Sequence, residues 1–254
     1  GRNIAENYVF AADLISSCHS RKKPTMVFKL DFRKAFDSIA WPALDRILDA
    51  RGFSQTFRSW IQNILRTGKT AILLNGIPGH WIQCKKGLRQ GDPISPMLFT
   101  LVIDALNSLL QHAIRTGVLR RLTERRMASS ISLYADDVVI FCHPDHHELQ
   151  VIRELLRVFG PATGLHTNFR KCSATPIHCT AEQTALVEGS VACPIAPFPI
   201  TYLGIPLTIR RPTTAQLLPL LDKVAARLPI WKAWLMNRAG RLALVKSVLS
   251  AIPL

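Results

Sequence analysis

Negative charge is scarce in this chain: 17 Asp and Glu stand against 32 Lys and Arg in 254 residues, a formal net charge of +15. That imbalance points to a polyanionic partner, either nucleic acid or an anionic membrane surface. Hydropathy gives the membrane no support. No uninterrupted apolar run approaches the roughly 20 residues that span a bilayer. The longest candidate, "SPMLFTLVIDALNSLL", is broken by Asp104 and Asn107. The opening "GRNIAENYVFAADLI" lacks both an initiator Met and the layout of a signal peptide. With no cap at its C-terminal end either, the chain is expected to be a piece of a longer one. CxxC pairs are missing too. The six cysteines at 18, 84, 142, 172, 179 and 193 are dispersed, as expected for reduced, mostly buried thiols of an intracellular protein. The stretch "CHPDHHE" from Cys142 to Glu148 lacks tetrahedral zinc spacing. It reads instead as a helix start, with Asp145 as N-cap and Glu148 three residues on.

What is present is a globular composition, 48% hydrophobic and 19% charged. The pattern predicts a helix from Ile4 to Ser17 and a strand in "TMVFKLDF" ending at Asp31. A helix in "AWPALDRILDARGF" has Pro42 in its first turn and Gly52 just past its end. A helix in "QTFRSWIQNILRTG" follows, then a hairpin turning at Asn75-Gly76. "GLRQGDPISPMLF" is a basic, glycine-containing loop feeding a long helix with Ser95 as N-cap and Pro96 at its first position. After the hairpin "ISLYADDVVIFC" comes the capped helix, ending at Gly160-Pro161. A loop-rich, proline-containing stretch leads to a strand in "ITYLGIPLTI", and the remainder is helical and basic. No internal repeat is evident. Strands and helices alternate irregularly, which implies an α+β or α/β core with a separate helical piece beyond a link near 210 at "RRPTT".

The pair Asp136 and Asp137 at the tip of an apolar hairpin admits three readings: general acid and base, ligands of a hard divalent cation, or solvated turn residues. Asp31, at the end of another apolar strand, adds a third carboxylate at a position where side chains emerge from a sheet. Clustered like charges destabilise a fold unless a cation neutralises them. Oxygen-only ligands favour Mg²⁺ or Mn²⁺. On a basic chain, such ions suit chemistry at nucleic-acid phosphates.

Five segments in order, "KLDFRKAFDSIAW", "GLRQGDPISPMLF", "YADDVVIF", "GLHTNFRKC" and "YLGIPL", resemble successive motifs of reverse transcriptases. The resemblance is to those of non-LTR (LINE-type) retrotransposons, especially plant ones, and it runs over essentially the whole chain. It implies an α+β fold: the right-hand palm of a polymerase, an antiparallel sheet backed by helices. Palm and partial fingers would occupy residues 1–210, and the start of a helical thumb 211–254. It implies an RNA template, a DNA primer and dNTPs as partners, and two Mg²⁺ ions, with Mn²⁺ as a substitute.

By the same resemblance Asp31 and Asp136 are the principal metal ligands, Asp137 is the third carboxylate, and the Phe32 carbonyl completes the second ion's shell. Phe36 is the gate against a 2′-hydroxyl. Gln90 and Gly91 meet the incoming nucleotide and template, with Arg89 a phosphate or template contact. Tyr134 underlies the primer terminus, and Lys171 protonates departing pyrophosphate. Tyr202, Leu203 and Gly204 turn the chain against the primer backbone. Lys223, Arg227, Lys232, Arg238, Arg241 and Lys246 would give the thumb its grip on duplex phosphates. Copying at chromosomal DNA implies a nuclear location. The family's upstream fingers strands, its endonuclease and any Cys/His knuckle have no counterpart in this sequence. A catalytically decayed transposon relic that only binds nucleic acid therefore stands as the alternative reading, beside other template-directed polymerases.

Overall fold

The computed structural model describes residues 4–122, 130–227 and 236–247. Helix α1 (Ile4–Ser20) leads through a basic turn into β1 (Thr25–Leu30), followed by a single turn, α2 (Ala35–Ser38), α3 (Trp41–Ala50) and α4 (Gln55–Arg66). Four two-residue strands come next: β2 (Lys69–Thr70), β3 (Leu73–Leu74), β4 (Ile77–Pro78) and β5 (Ile82–Gln83). Then follow α5 (Ser95–Arg115), β6 (Ile131–Tyr134), β7 (Asp137–Cys142), α6 (His146–Thr163), β8 (Ser173–Ile177) and α7 (Ala181–Val191). The hairpin β9 (Ile200–Tyr202) and β10 (Ile205–Leu207) precedes α8 (Thr214–Arg227) and α9 (Arg238–Ser247).

The central sheet is antiparallel, in the order β6-β7-β1-β8. Alternation along β1 sends Met26, Phe28 and Leu30 to one face and Val27 and Lys29 to the other. The first face meets Leu98, Phe99, Val102, Ile103 and Leu106 of α5, together with α3 and α6, in the main core. Each such side chain contributes roughly 1.5–3 kcal/mol by leaving water. By length and composition alone α5 could cross a membrane, but here its apolar stripe is spent on the sheet. On the opposite face Val27, Val139, Phe141 and Ile177 pack with Phe10, Leu14 and Ile15 of α1 and Leu207 of β10. That second cover stops short of the β1–β7 end carrying the aspartates, and a cleft remains there.

Most predicted elements form within a few residues of their expected ends, and the exceptions have physical causes. The helix capped by Asp145, whose carboxylate accepts the Glu148 amide at 3.0 Å, runs through Pro161 to Thr163 and closes on Gly164. Ser95 is the first residue of α5 rather than its cap, and the Asp92 carboxylate accepts the Ile94 amide at 3.2 Å instead. The stretch expected to be loop-rich contains α7, started by a capping box of Thr180 and Gln183. "ITYLGIPLTI" is not one strand but a hairpin, since Leu203 and Gly204 take φ 52 and 74 and turn the chain.

Candidate active site

Tyr134 pairs with Asp137, so only Ala135 and Asp136 join β6 to β7. Ala135 sits at φ 50, a left-handed conformation costing an L-residue roughly 1–2 kcal/mol. The strained tip leaves Asp136 exposed and Asp137 half-buried at the first position of β7.

Register then decides which groups share a face. Lys29 lies between Val139 on β7 and Ser173 on β8. The β1–β7 ladder, carried one step beyond Leu30–Val138, sets Asp31 opposite Asp137. An open cleft of about 410 Å³ forms there, lined by Lys29, Asp31, Asp136, Asp137 and Lys171, with Pro199 and Thr201 on the far wall. The three predicted carboxylates and Lys171 are thus brought together from segments far apart in sequence.

Asp31 is held by "GLHTNFRKC". Its amide donates to the Cys172 sulfur at 3.3 Å, and its carbonyl accepts the Asn168 amide at 2.8 Å. Arg33 donates to the His166 carbonyl at 2.9 Å. These bonds flank Phe32 and use the carbonyls of Asp31 and His166, while the Phe32 ring is buried in the main core. Cys172 is buried as well, and a hydrogen bond from the Cys193 thiol holds its own thiol below the ordinary range against the effect of burial.

Phe36, Arg89, Gln90 and Gly91 do not line this cleft. Phe36 stacks on Phe99 of α5, ring centroids 4.5 Å apart, and its carbonyl accepts the Leu88 amide at 2.7 Å. Gln90 and Gly91 are exposed, Gly91 at φ 92 with open space where a Cβ would stand. Arg89 turns back towards Gly68 and borders a separate cavity of about 300 Å³ with Asp37, Trp41 and Asp92. Tyr134 is exposed at the end of β6, beside Asp137.

Tyr202 and Leu203 are buried, and the Tyr202 hydroxyl shares a 2.8 Å hydrogen bond with Ser132 inside the second core. Their side chains hold the hairpin to the sheet, and Leu203 and Gly204 form its turn. Of the basic helical residues, Lys223, Arg238, Arg241 and Lys246 are exposed. Arg227 ends α8, and Lys232 lies outside the described residues.

Sequence reasoning missed Lys29. Its ammonium lies 3.7 Å from an Asp137 carboxylate oxygen and donates to the Thr201 carbonyl at 2.7 Å. The signal was a lone charge inside "MVFKL". Burial pushes the Asp137 carboxyl above its ordinary range; Lys29 pulls it back and Asp136 pushes it further up. Among the described residues no trio of His, Cys, Asp or Glu is gathered tightly enough to cage an ion. Three carboxylates on one cleft nevertheless form a donor set suited in chemistry to a hard divalent cation.

Solved structures of similar architecture include two telomerases. That of Candida albicans, in complex with a telomeric RNA fragment, superposes with a TM-score of 0.52 at 12% identity, over 90% of this chain and 38% of that one. That of Candida tropicalis gives 0.56 at 12% identity, over 97% and 40%. At this identity the likeness concerns the fold alone, an α+β arrangement of an antiparallel sheet backed by helices. Residues 1–207 match the profile "Reverse transcriptase (RNA-dependent DNA polymerase)", and the chain belongs to that family. Members of the family use divalent metal ions.

Among its curated relatives is the Pol polyprotein of the type-2 retrotransposable element R2DM of Drosophila melanogaster, 29% identical over 72% of this chain and 17% of the relative. The transposon TX1 149 kDa protein of Xenopus laevis is 25% identical over 99% and 19%. The R2 Pol polyprotein of Nasonia vitripennis is 30% identical over 79% and 19%. The chain thus spans under a fifth of the length of these relatives.

Proposed function

We propose that this chain carries the polymerising site of a non-LTR retrotransposon reverse transcriptase, which adds dNTPs to a primer 3′-hydroxyl on an RNA template. The observation that carries the reading is the convergence of Asp31, Asp136 and Asp137 on one cleft of the sheet in a chain of this family. Asp31 and Asp136 would be the principal ligands, with Asp137 and the Phe32 carbonyl beside them. Two Mg²⁺ or Mn²⁺ ions bound there would acidify the 3′-hydroxyl and offset charge on the departing pyrophosphate.

The chain's own groups would do the positioning. Tyr134 offers an exposed ring beside the carboxylates as a platform for the primer end. Lys171 stands on the cleft wall as proton donor to the leaving group. Phe36, braced by Phe99, would crowd a 2′-hydroxyl, and the open backbone at Gln90 and Gly91 would let nucleotide and template approach, with Arg89 as a phosphate contact. The exposed cations of α8 and α9 suit a thumb gripping duplex phosphates without regard to sequence. Copying primed on chromosomal DNA would put this work in the nucleus.

The test is extension of a primed RNA template with dNTPs and Mg²⁺ by the chain and by Asp136→Asn. Loss of extension in the variant with retained folding is expected. Equally poor extension by both would sink the polymerase reading and leave a nucleic-acid-binding relic, and equally strong extension would remove Asp136 from the site.

A further inference from the structure

The cleft contains a cation of its own. Lys29 stands at the middle of the open sheet face, with Val139 and Ser173 as cross-strand neighbours. A charged side chain there gains less from packing than the aliphatics before it, so its ammonium must be compensated in place. Asp137 supplies that compensation on one side, at 3.7 Å, and the Thr201 carbonyl on the other, at 2.7 Å. Thr201 belongs to β9, across the cleft from β7. One Nζ atom therefore ties a catalytic carboxylate to the opposite wall. Asp137 is thus engaged with Lys29 in the cleft that it shares with Asp31 and Asp136.

We propose that Lys29 is a positioning residue acting as a stand-in cation, which holds Asp137 and the Thr201 wall in register and must release Asp137 when a divalent ion binds. The inference rests on the metal-site reading above and deepens it. Two consequences run in opposite directions. Lys29 and the divalent ion compete for one carboxylate and repel each other, so neutralising Lys29 strengthens ion binding. The same change frees the β9 wall, so primed template is held less well. A residue with only a structural role would weaken both.

The experiment measures binding of Mn²⁺ alone to the protein without nucleic acid, by counting free Mn²⁺ with electron paramagnetic resonance. Removing one like charge from beside a divalent ion in a watery cleft corresponds to on the order of tenfold in affinity. Lys29→Met is therefore expected to bind Mn²⁺ about tenfold more tightly than wild type, and Lys29→Arg within about twofold of it. Lys29→Gln, which keeps a donor for the Thr201 carbonyl, carries the same expectation as Lys29→Met should that variant fold poorly. In primer extension the KM for primed template should rise several-fold in Lys29→Met.

Unchanged or weaker Mn²⁺ binding in both neutral variants overturns the proposal. Asp136→Asn separates this failure from that of the site itself. If Asp136→Asn binds Mn²⁺ as wild type does, the metal-site reading fails and Lys29 with it. If Asp136→Asn loses binding while the neutral Lys29 variants match wild type, only the Lys29 inference fails.

Discussion

The Tyr202 hydroxyl and the Ser132 hydroxyl share a buried 2.8 Å hydrogen bond that joins the β9–β10 hairpin to the strand before the Ala135–Asp136 turn. Ser132 also reaches the Asn7 carbonyl at 3.3 Å, so α1, β6 and β9 meet at one polar point within an apolar layer. Removing one partner strands the other out of water; removing both does not. Tyr202→Phe and Ser132→Ala should each lose about 1–2 kcal/mol in urea unfolding. The double variant should lose less than the sum, with a coupling near 1 kcal/mol. Additive losses would show that the bond carries no coupling between the hairpin and the sheet.

Gly164 and Gly91 both have positive φ but differ in what surrounds them. A Cβ at Gly164 would stand 2.1 Å from the Ser38 carbonyl oxygen, whereas at Gly91 it would meet nothing within 4 Å. Gly164→Ala should therefore cost more than about 3 kcal/mol, since backbone must move, and it should loosen the segment that clamps Asp31. Gly91→Ala should cost only about 1–2 kcal/mol of local strain. Its larger effect should be a raised KM for dNTP, read by steady-state extension.

That contrast bears on what the sequence could reveal. Period-two runs in "MVFKL" and "VVIFC", the Asn75-Gly76 turn and the Asp145 cap are local signals, and each produced its element. The three carboxylates were legible because each lies at or beside the end of an apolar strand. Pairing is non-local, and there the reading ran out. β8, which the sequence reading did not place, carries Pro176 and lies at the sheet's edge, where a proline is tolerated. α7 was hidden because its apolar residues are sparse, although Thr180 and Gln183 announced its start. The motif marks Tyr202 as part of a chain turn; only the third dimension shows that its hydroxyl meets Ser132. Lys29 could be seen as an odd charge, but its two partners come from β7 and β9, and no spacing rule links them.

A pH effect should come from the brace between α3 and α4. Arg58 makes a bidentate contact with Asp45, at 2.9 and 2.7 Å, and also pairs with Asp49. Hydrogen bonds from Arg58 hold the Asp45 carboxyl below its ordinary range, against a smaller upward push from burial. A depressed folded value means the stabilisation is present above the unfolded value of about 3.9 and is lost as pH falls through the folded one. Melting of wild type and Asp45→Asn should therefore differ at pH 7, and the gap should close as pH drops below about 4. A gap that persists into strong acid would assign the effect to packing rather than to charge.

Phe36 is half-buried and lies nearly parallel to Phe99, at 15°, which fixes its ring from behind. A gate needs that support, because a ring free to swing would exclude nothing. Phe36→Val keeps an apolar side chain but removes the ring edge, so rNTP incorporation relative to dNTP should rise roughly 10–100-fold, the range that one steric contact can discriminate. Phe99→Leu offers the complementary measurement. It leaves Phe36 in place without its stacking partner, and the same ratio should rise by a smaller factor while stability falls by about 1–2 kcal/mol. If the ratio is unchanged in Phe36→Val, the ring is core packing and the gate lies elsewhere. If Phe99→Leu alone leaves it unchanged, Phe36 excludes the 2′-hydroxyl without help from α5.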